Sequence, residues 1–424
     1  MEVNKMETIM KKLMVLLAVI LFPLACDKSP VETTAIEKNE RQDVHLTAKQ
    51  EAKVQNGNIL ALDYFKKMYA YNEERLDGKD FVVSPLGLEM LLGLLNTGAT
   101  EEAADQILSV MGFEHGEEKE LNEYLYSLLG QLVQLDALTR IKFANIGFIN
   151  KAKFELKPSY VEEARYYYDM PVTEEDFSDP DLVHRINGWC NDNTEGMIPV
   201  IIGAVNPDGN FYMFDAMYFN GYWTSRFDPG KTEKEKFYPE KGDSFKVKMM
   251  KQQAAFPFAR MKDYSVVCLP YGNEAFRMNV ILPHEGNRLE DVIASLDNDR
   301  WDGAVSRMIF TDLDIWLPRF ETENYFLLNE IMLQLGLSGI YKVGNLDNLA
   351  KDITAEMIVQ STHIKVSEEG TEAAAVTGNI SFSSPGPGHE VPPEEFHANR
   401  PFLYLITEYS TGAILFAGIY GGHN

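Results

Sequence analysis

The chain has 424 residues, 45% of them hydrophobic and 11% aromatic, and a formal net charge of −25. This is a globular composition with length enough for a large core, and its acidity excludes nucleic acid as a partner, because phosphate binding needs a basic face. The cysteines (Cys26, Cys190, Cys268) and eight scattered histidines show neither metal-ligand spacing nor a disulfide framework, so no metal and no other cofactor is expected.

At the N-terminus, Lys11-Lys12 precede an apolar run, Leu13 to Phe22, and then Pro23-Leu24-Ala25-Cys26. A basic region, a short apolar region and a small residue before the cysteine predict an export signal over 1–26, too short to be a membrane span. The Leu-Ala-Cys ending resembles a bacterial lipoprotein signal. That resemblance implies lipidation of Cys26 and anchoring to a bacterial membrane, at the outer membrane or cell surface. Pro23 stands where such signals usually carry an aliphatic residue, and ordinary cleavage beside an incidental cysteine is the other reading. Met10, directly before the lysines, is an alternative start. Residues 27–55 are polar without apolar periodicity and read as a tether, unless its end, from about Val44, already belongs to the first helix.

The folded body is expected over 56–424. Ile59, Leu60, Leu62, Phe65, Met68 and Tyr69 recur at helical spacing. A short strand ends at Ser84-Pro85 and feeds the apolar run Leu86 to Leu95, long enough for a buried helix. Asn96 to Thr100 end that helix, and Thr100-Glu101-Glu102 open the next with a cap-like residue. Strands are expected at 81–84, 211–220, 244–251, 263–270, 277–282, 311–320 and 403–419, with helices mainly in the first half. That mixture predicts a single α+β domain with large mixed β-sheets.

No nucleophile elbow, His-Glu-x-x-His helix, P-loop or dinucleotide-binding glycine motif occurs in the sequence. His184 and Cys190 lie six residues apart, which on a helix puts them on different faces. A catalytic function is therefore not expected.

The most unusual stretch is 365–384. Its core, Gly370-Thr371-Glu372-Ala373-Ala374-Ala375-Val376-Thr377, lacks bulk, aromatics and proline and has weak allegiance to helix or strand. At period two, Thr371, Ala373, Ala375 and Thr377 share one face, and Glu372 lies on the other. A segment that must leave water and become a new central strand needs such an unobstructed inner face. The following Pro385 to Pro393 stretch can form neither helix nor central strand and is read as an exposed connection.

Glu368-Glu369-Gly370-Thr371-Glu372-Ala373-Ala374-Ala375 resembles the reactive-loop hinge of the serpins. Further segments resemble that family in the right order: Ile186-Asn187-Gly188-Trp189 to Ile198, Phe214 to Trp223 with Phe227, Thr232 and Phe237, Leu317-Pro318-Arg319-Phe320, Phe396 to Phe402, and Thr411 to Gly418. The resemblance covers about 57–422. It implies a monomeric suicide-substrate inhibitor of serine or cysteine endopeptidases, with an exposed reactive-centre loop near the C-terminus. The target would cut that loop and form a covalent acyl complex, and the freed segment would insert into the main sheet. The alternative is a non-inhibitory serpin-fold binding or structural protein at the cell surface.

The family's spacing from Gly370 places Ser384 before the cut, but Pro385 would follow it. The bond is therefore assigned to Ser383–Ser384, which suits elastase-like enzymes, or Phe382–Ser383, which suits chymotrypsin-like or cathepsin-like ones. No Arg or Lys occurs between 370 and 396, which argues against trypsin-like targets. The resemblance also implies an Arg319–Glu368 ion pair at the base of the hinge, with Trp223 nearby. Beside Ser84, where the main sheet opens, Gln360 stands where serpins often have His, Asp215 where they often have Asn, and Gly87 where Ser is common. These are either ordinary substitutions or a Gln–Asp or Gln–backbone replacement network.

Overall fold

The computed structural model divides the chain into residues 1–36 and 37–424, and it describes residues 38–371 and 392–422. Cys26 and the 1–26 signal lie outside the described residues. So do Glu372, Ala373, Ala374, Ala375, Thr377, Phe382, Ser383 and Ser384.

The first half alternates helices with a few strands: α1 (Ala48–Arg75), β1 (Phe81–Val83), α2 (Pro85–Gly98), α3 (Glu101–Val110), α4 (Glu118–Leu132), β2 (Thr139–Asn150), α5 (Pro158–Tyr168), β3 (Val172–Glu175) and α6 (Leu182–Asn193). Strands then dominate: β4 (Phe211–Tyr222), β5 (Glu233–Phe237), β6 (Phe245–Arg260), β7 (Tyr264–Tyr271) and β8 (Phe276–Pro283). Two short helices, α7 (Leu289–Ser295) and α8 (Asn298–Val305), precede β9 (Ile309–Pro318) and β10 (Phe320–Leu327). The chain closes with α9 (Asn329–Gln334), β11 (Met357–Val366), β12 (Gly370–Thr371), β13 (Glu394–His397), β14 (Phe402–Glu408) and β15 (Ile414–Tyr420).

Two sheets result. The nine-stranded sheet runs β1-β15-β14-β8-β7-β6-β9-β13 with β5 on β6, and the six-stranded sheet runs β10-β11-β12-β4-β2-β3. Both mix parallel and antiparallel pairs: β13 runs parallel to β9, and β11 parallel to β4. The main core joins α2 to both sheets, and a smaller apolar cluster lies around α6, β2 and β4. Every residue of α2 from Pro85 to Asn96 is buried, as its almost wholly apolar surface requires. Ser84 caps it by accepting from the backbone of Gly87 at 3.0 Å, and Pro85 sits in its first turn, where its missing N–H costs nothing.

The single α+β domain expected from the sequence is present, with corrections of detail. The helix starts at Ala48, so the boundary at 56 falls inside it, and residues 48–55 are helix and not tether. Val44 is buried as well. The start carries a readable signal: Thr47 and Gln50 form a reciprocal capping box. The strand expected at 403–419 is a hairpin of β14 and β15, and 311–320 divides between β9 and β10. β2, β3, β5 and β13 were not among the expected strands. Thr47→Ala should lower stability by about 1 kcal/mol, the ordinary worth of an N-cap. The midpoint of urea unfolding at unchanged slope would read it.

Candidate functional site

Where β11 ends, the chain turns back on itself. Ser367 N donates to Gly370 O at 2.8 Å and Gly370 N to Ser367 O at 3.3 Å, closing a tight turn over 367–370. The turn delivers Gly370 and Thr371 as β12 into the mouth between β11 and β4. Val366 pairs with Thr371, and Gly370 and Thr371 pair antiparallel with Tyr222 and Gly221. Below that wedge the two long strands pair directly and in parallel, Met357 to His363 against Tyr212 to Tyr218. Gly370 has φ +151° and a Cβ there would collide with the carbonyl oxygen of Gly221, so only glycine fits. Thr371 is fully buried, and its hydroxyl lies 2.7 Å from that of Tyr271.

The turn is held from outside. Arg319 Nε lies 2.8 Å from Glu368 Oε2, with the carboxylate side chain 5% and the arginine 41% exposed. Thr232 Oγ1 donates to Glu368 Oε1 at 2.6 Å. Trp223 Nε1 donates to Ser367 O at 2.8 Å, its backbone N–H to Glu369 O at 2.9 Å and that of Phe227 to Glu368 O at 2.9 Å. The Trp223 ring stacks on Tyr271 at 4.4 Å. The sequence thus brings Trp223, Arg319 and Glu368 together, as its resemblance implied. Thr232 and Tyr271 join them. Thr232 sits in a quoted motif, but no spacing in the sequence points Tyr271 at Thr371.

A second cluster lies under the parallel pairing. Gln360 and Asp215 are register partners, and Gln360 Nε2 donates to Asp215 Oδ2 at 2.7 Å and to Ser84 O at 2.8 Å. Gln360 Oε1 accepts from Ser84 N and from Tyr64 Oη, each at 2.9 Å. Ser84 Oγ donates to Leu415 O at 2.9 Å, tying the knot to the nine-stranded sheet. Both expected forms of the network, Gln–Asp and Gln–backbone, therefore occur in one knot. Gly87 is part of it, because a Cβ at 87 would collide with the Asp215 carboxylate. Burial pushes the Asp215 carboxyl up to about 7, while the Gln360 bond pulls it down.

His184 is exposed and Cys190 buried, and burial pushes the Cys190 thiol up to about 12, far from a nucleophile's range. Among the described residues no group of three or more His, Cys, Asp or Glu side chains could hold a metal ion, and no helix is long and apolar enough to cross a membrane.

Comparison with known proteins agrees with this geometry. The family model described as "Serpin (serine protease inhibitor)" matches residues 55–420. Human Serpin B3 is 28% identical over 363 residues, covering 79% of this chain and 91% of its own. Mouse leukocyte elastase inhibitor A is 28% identical over 379 residues, covering 85% and 96%. The structure of human thyroxine-binding globulin complexed with its hormone superposes with a TM-score of 0.80 at 21% identity, covering 89% of this chain and 100% of that one, a likeness of fold alone. The chain belongs to the serpin family. That family consists mostly of protease inhibitors and not of enzymes, and its fold is metastable.

Glu368→Lys sets a second cation against Arg319 and removes the acceptor for Thr232, freeing the turn that closes the mouth. The variant should form polymers on mild warming, as one molecule's loop enters another's sheet. Glu233→Lys, at an exposed position whose side chain pairs with Lys251, should stay monomeric. Size-exclusion chromatography after warming separates the two outcomes.

Proposed function

We propose that this protein is a suicide-substrate inhibitor of endopeptidases that acts by inserting its cleaved loop between β11 and β4. The observation that carries the reading is β12, two residues of the hinge already paired between those strands. Continuing its register past Thr371 sets Ala373, Ala375 and Thr377 opposite Phe219, Met217 and Asp215 of β4, and opposite Ile364, Thr362 and Gln360 of β11. The incoming inner face is small wherever the sheet's own side is filled, and its one hydroxyl arrives between Asp215 and Gln360. Each new ladder hydrogen bond adds about 0.5–1.5 kcal/mol, so about a dozen residues supply enough to drag an acylated protease and hold it.

Within that reading the cut falls at Ser383–Ser384 or Phe382–Ser383, and the targets are elastase-like or chymotrypsin-like, cathepsin-like enzymes being open to the second bond. The match to leukocyte elastase inhibitors and the loop's lack of Arg and Lys support this choice. The second reading, a non-inhibitory binding protein, draws on the shared fold with thyroxine-binding globulin, whose title names a small-molecule ligand. The small, uncharged inner face of the hinge favours inhibition. Export and lipidation at Cys26 belong to the same proposal and rest on residues 11–26 alone. Cys26→Ser should move the protein from the membrane fraction to the soluble one.

The deciding experiment mixes the folded protein with elastase- and chymotrypsin-like proteases and looks for an SDS-stable complex of summed mass. Its absence with every protease tried, alongside simple loop cleavage, would sink inhibition. Thr371→Arg should turn inhibitor into substrate, because an unpaired guanidinium cannot be buried against Tyr271; cleavage continues and the complex is lost. A cut between Ile380 and Ser384 should raise the melting temperature by about 20 °C or more, from roughly 10 kcal/mol of new pairing. Calorimetry before and after the cut checks it.

A further inference from the structure

The parallel pairing of β11 with β4 carries a buried titratable group at its middle. Asp215 and Gln360 face each other across it in register, and the Gln360 amide spans it to the Asp215 carboxylate at 2.7 Å. Asp215 is fully buried. Each neighbouring element contributes a group: Gln360 from β11, Asn145 as register partner on β2, and the Gly87 backbone of α2, where a Cβ would touch the carboxylate. Tyr64 of α1 and Cys190 of α6 feel its charge, and both are themselves pushed upward, chiefly by burial, so both stay neutral at ordinary pH. The amide of Gln360 thus bonds the carboxylate directly, and the phenol of Tyr64 and the thiol of Cys190 within reach of its charge carry none of their own.

We infer that Asp215 makes this opening pH-gated: protonated, it lets β11 and β4 stay closed; ionised, it favours their separation and the entry of water or a strand. The gate is a property of the sheet itself, and only its use in inhibition rests on the function proposed above. The sign follows from linkage. Burial raises the Asp215 carboxyl to about 7 in the closed sheet, whereas a carboxyl hydrated in the parted sheet has its ordinary, lower value. Between those values the closed state holds more protons, so opening releases one. Closure is fully favoured below the ordinary carboxylate range, weakens as pH rises through about 7, and levels off above.

A second buried carboxylate must be separated from this effect. Glu89 of α2 is pushed up to about 8 by burial. It lies against Gly57 of α1, and its charge reaches Tyr124 of α4. It bonds neither strand of the opening, so Glu89→Gln serves as the control.

The test is hydrogen exchange of the intact protein. The amides in the ladder between Met357–His363 and Tyr212–Tyr218 are followed from about pH 5.5 to about pH 8 and corrected for intrinsic rates. Protection in the native protein should fall about tenfold or more over that range. Glu89→Gln should keep that step and Asp215→Asn, an isostere that keeps a polar partner for Gln360, should lack it. Should Asp215→Asn fail to fold, the side-chain carboxyl carbon of Asp215 in isotope-labelled native protein reads the same group, with a midpoint near neutrality expected. Protection independent of pH in the native protein, a step that survives in Asp215→Asn, or an Asp215 midpoint in the ordinary carboxylate range overturns the gate. None of these readouts involves a protease. A protein that shows the step yet traps no protease refutes the inhibitory reading and leaves the gate standing; one that traps proteases without the step does the reverse.

Discussion

The parallel contact between β11 and β4 is the constraint on which the rest of the molecule turns. It lies inside a six-stranded sheet, not at its edge, and parallel pairing is slightly weaker per residue than antiparallel. A strand arriving from the turn at 367–370 must run antiparallel to both neighbours, as β12 already does. Entry therefore exchanges one parallel ladder for two antiparallel ones. An ordinary mixed sheet has no such reserve, because its strands are adjacent to partners they cannot improve upon. Here the closed arrangement is held by what lies above and below the contact.

Above, the holding groups act on the turn and not on the strands. Trp223 and Phe227 take three carbonyls of 367–369, and Arg319 with Thr232 takes both oxygens of Glu368. The half-exposed Arg319 adds little equilibrium stability by itself. Its effect is positional, because Glu368 is nearly buried and must keep a partner. Below, the underside of the contact has a hydrogen-bonded knot where apolar packing would be expected. Gln360 satisfies Ser84, Tyr64 and Asp215 at once, and Ser84 reaches Leu415 in the other sheet. Such a knot is worth its full strength only while every member is in place, so separating the strands meets resistance that is lost all together and not by degrees.

Much of this was legible in the residues. The buried α2 run, the positions of β4, β6, β7 and β8 and the small inner face of the hinge follow from periodicity and side-chain size. The Arg319–Glu368 pair came through family resemblance and not through physics, since the two lie far apart in sequence. β2 escaped because its buried positions include Asn145 and Asn150, which break apolar alternation, and β3 because only its first residue, Val172, is buried. The start of α1 was misplaced because polar composition outweighed the capping box at Thr47 and Gln50. Gly87, Asp215 and Gln360 were each visible as departures from the family pattern. What one-dimensional reading could not supply is that they are a single change. The missing Cβ at 87 makes room for the carboxylate, and an amide at 360 can serve it and the backbone of Ser84 together.

That coupling bears on how such a sheet stays closed yet ready. Pairing a new strand is hardest at its first contacts, where chain entropy is lost before many bonds form. In this molecule Gly370 and Thr371 are already in register, so that first step lies behind the native state. On the insertion proposed above, the remaining barrier is the parting of 357–363 from 212–218, and its midpoint is the Gln360–Asp215 bond. A fully apolar underside would part at a cost set by area alone. A buried carboxylate makes the cost depend on its own ionisation, and it sits directly in the path that the existing register prescribes.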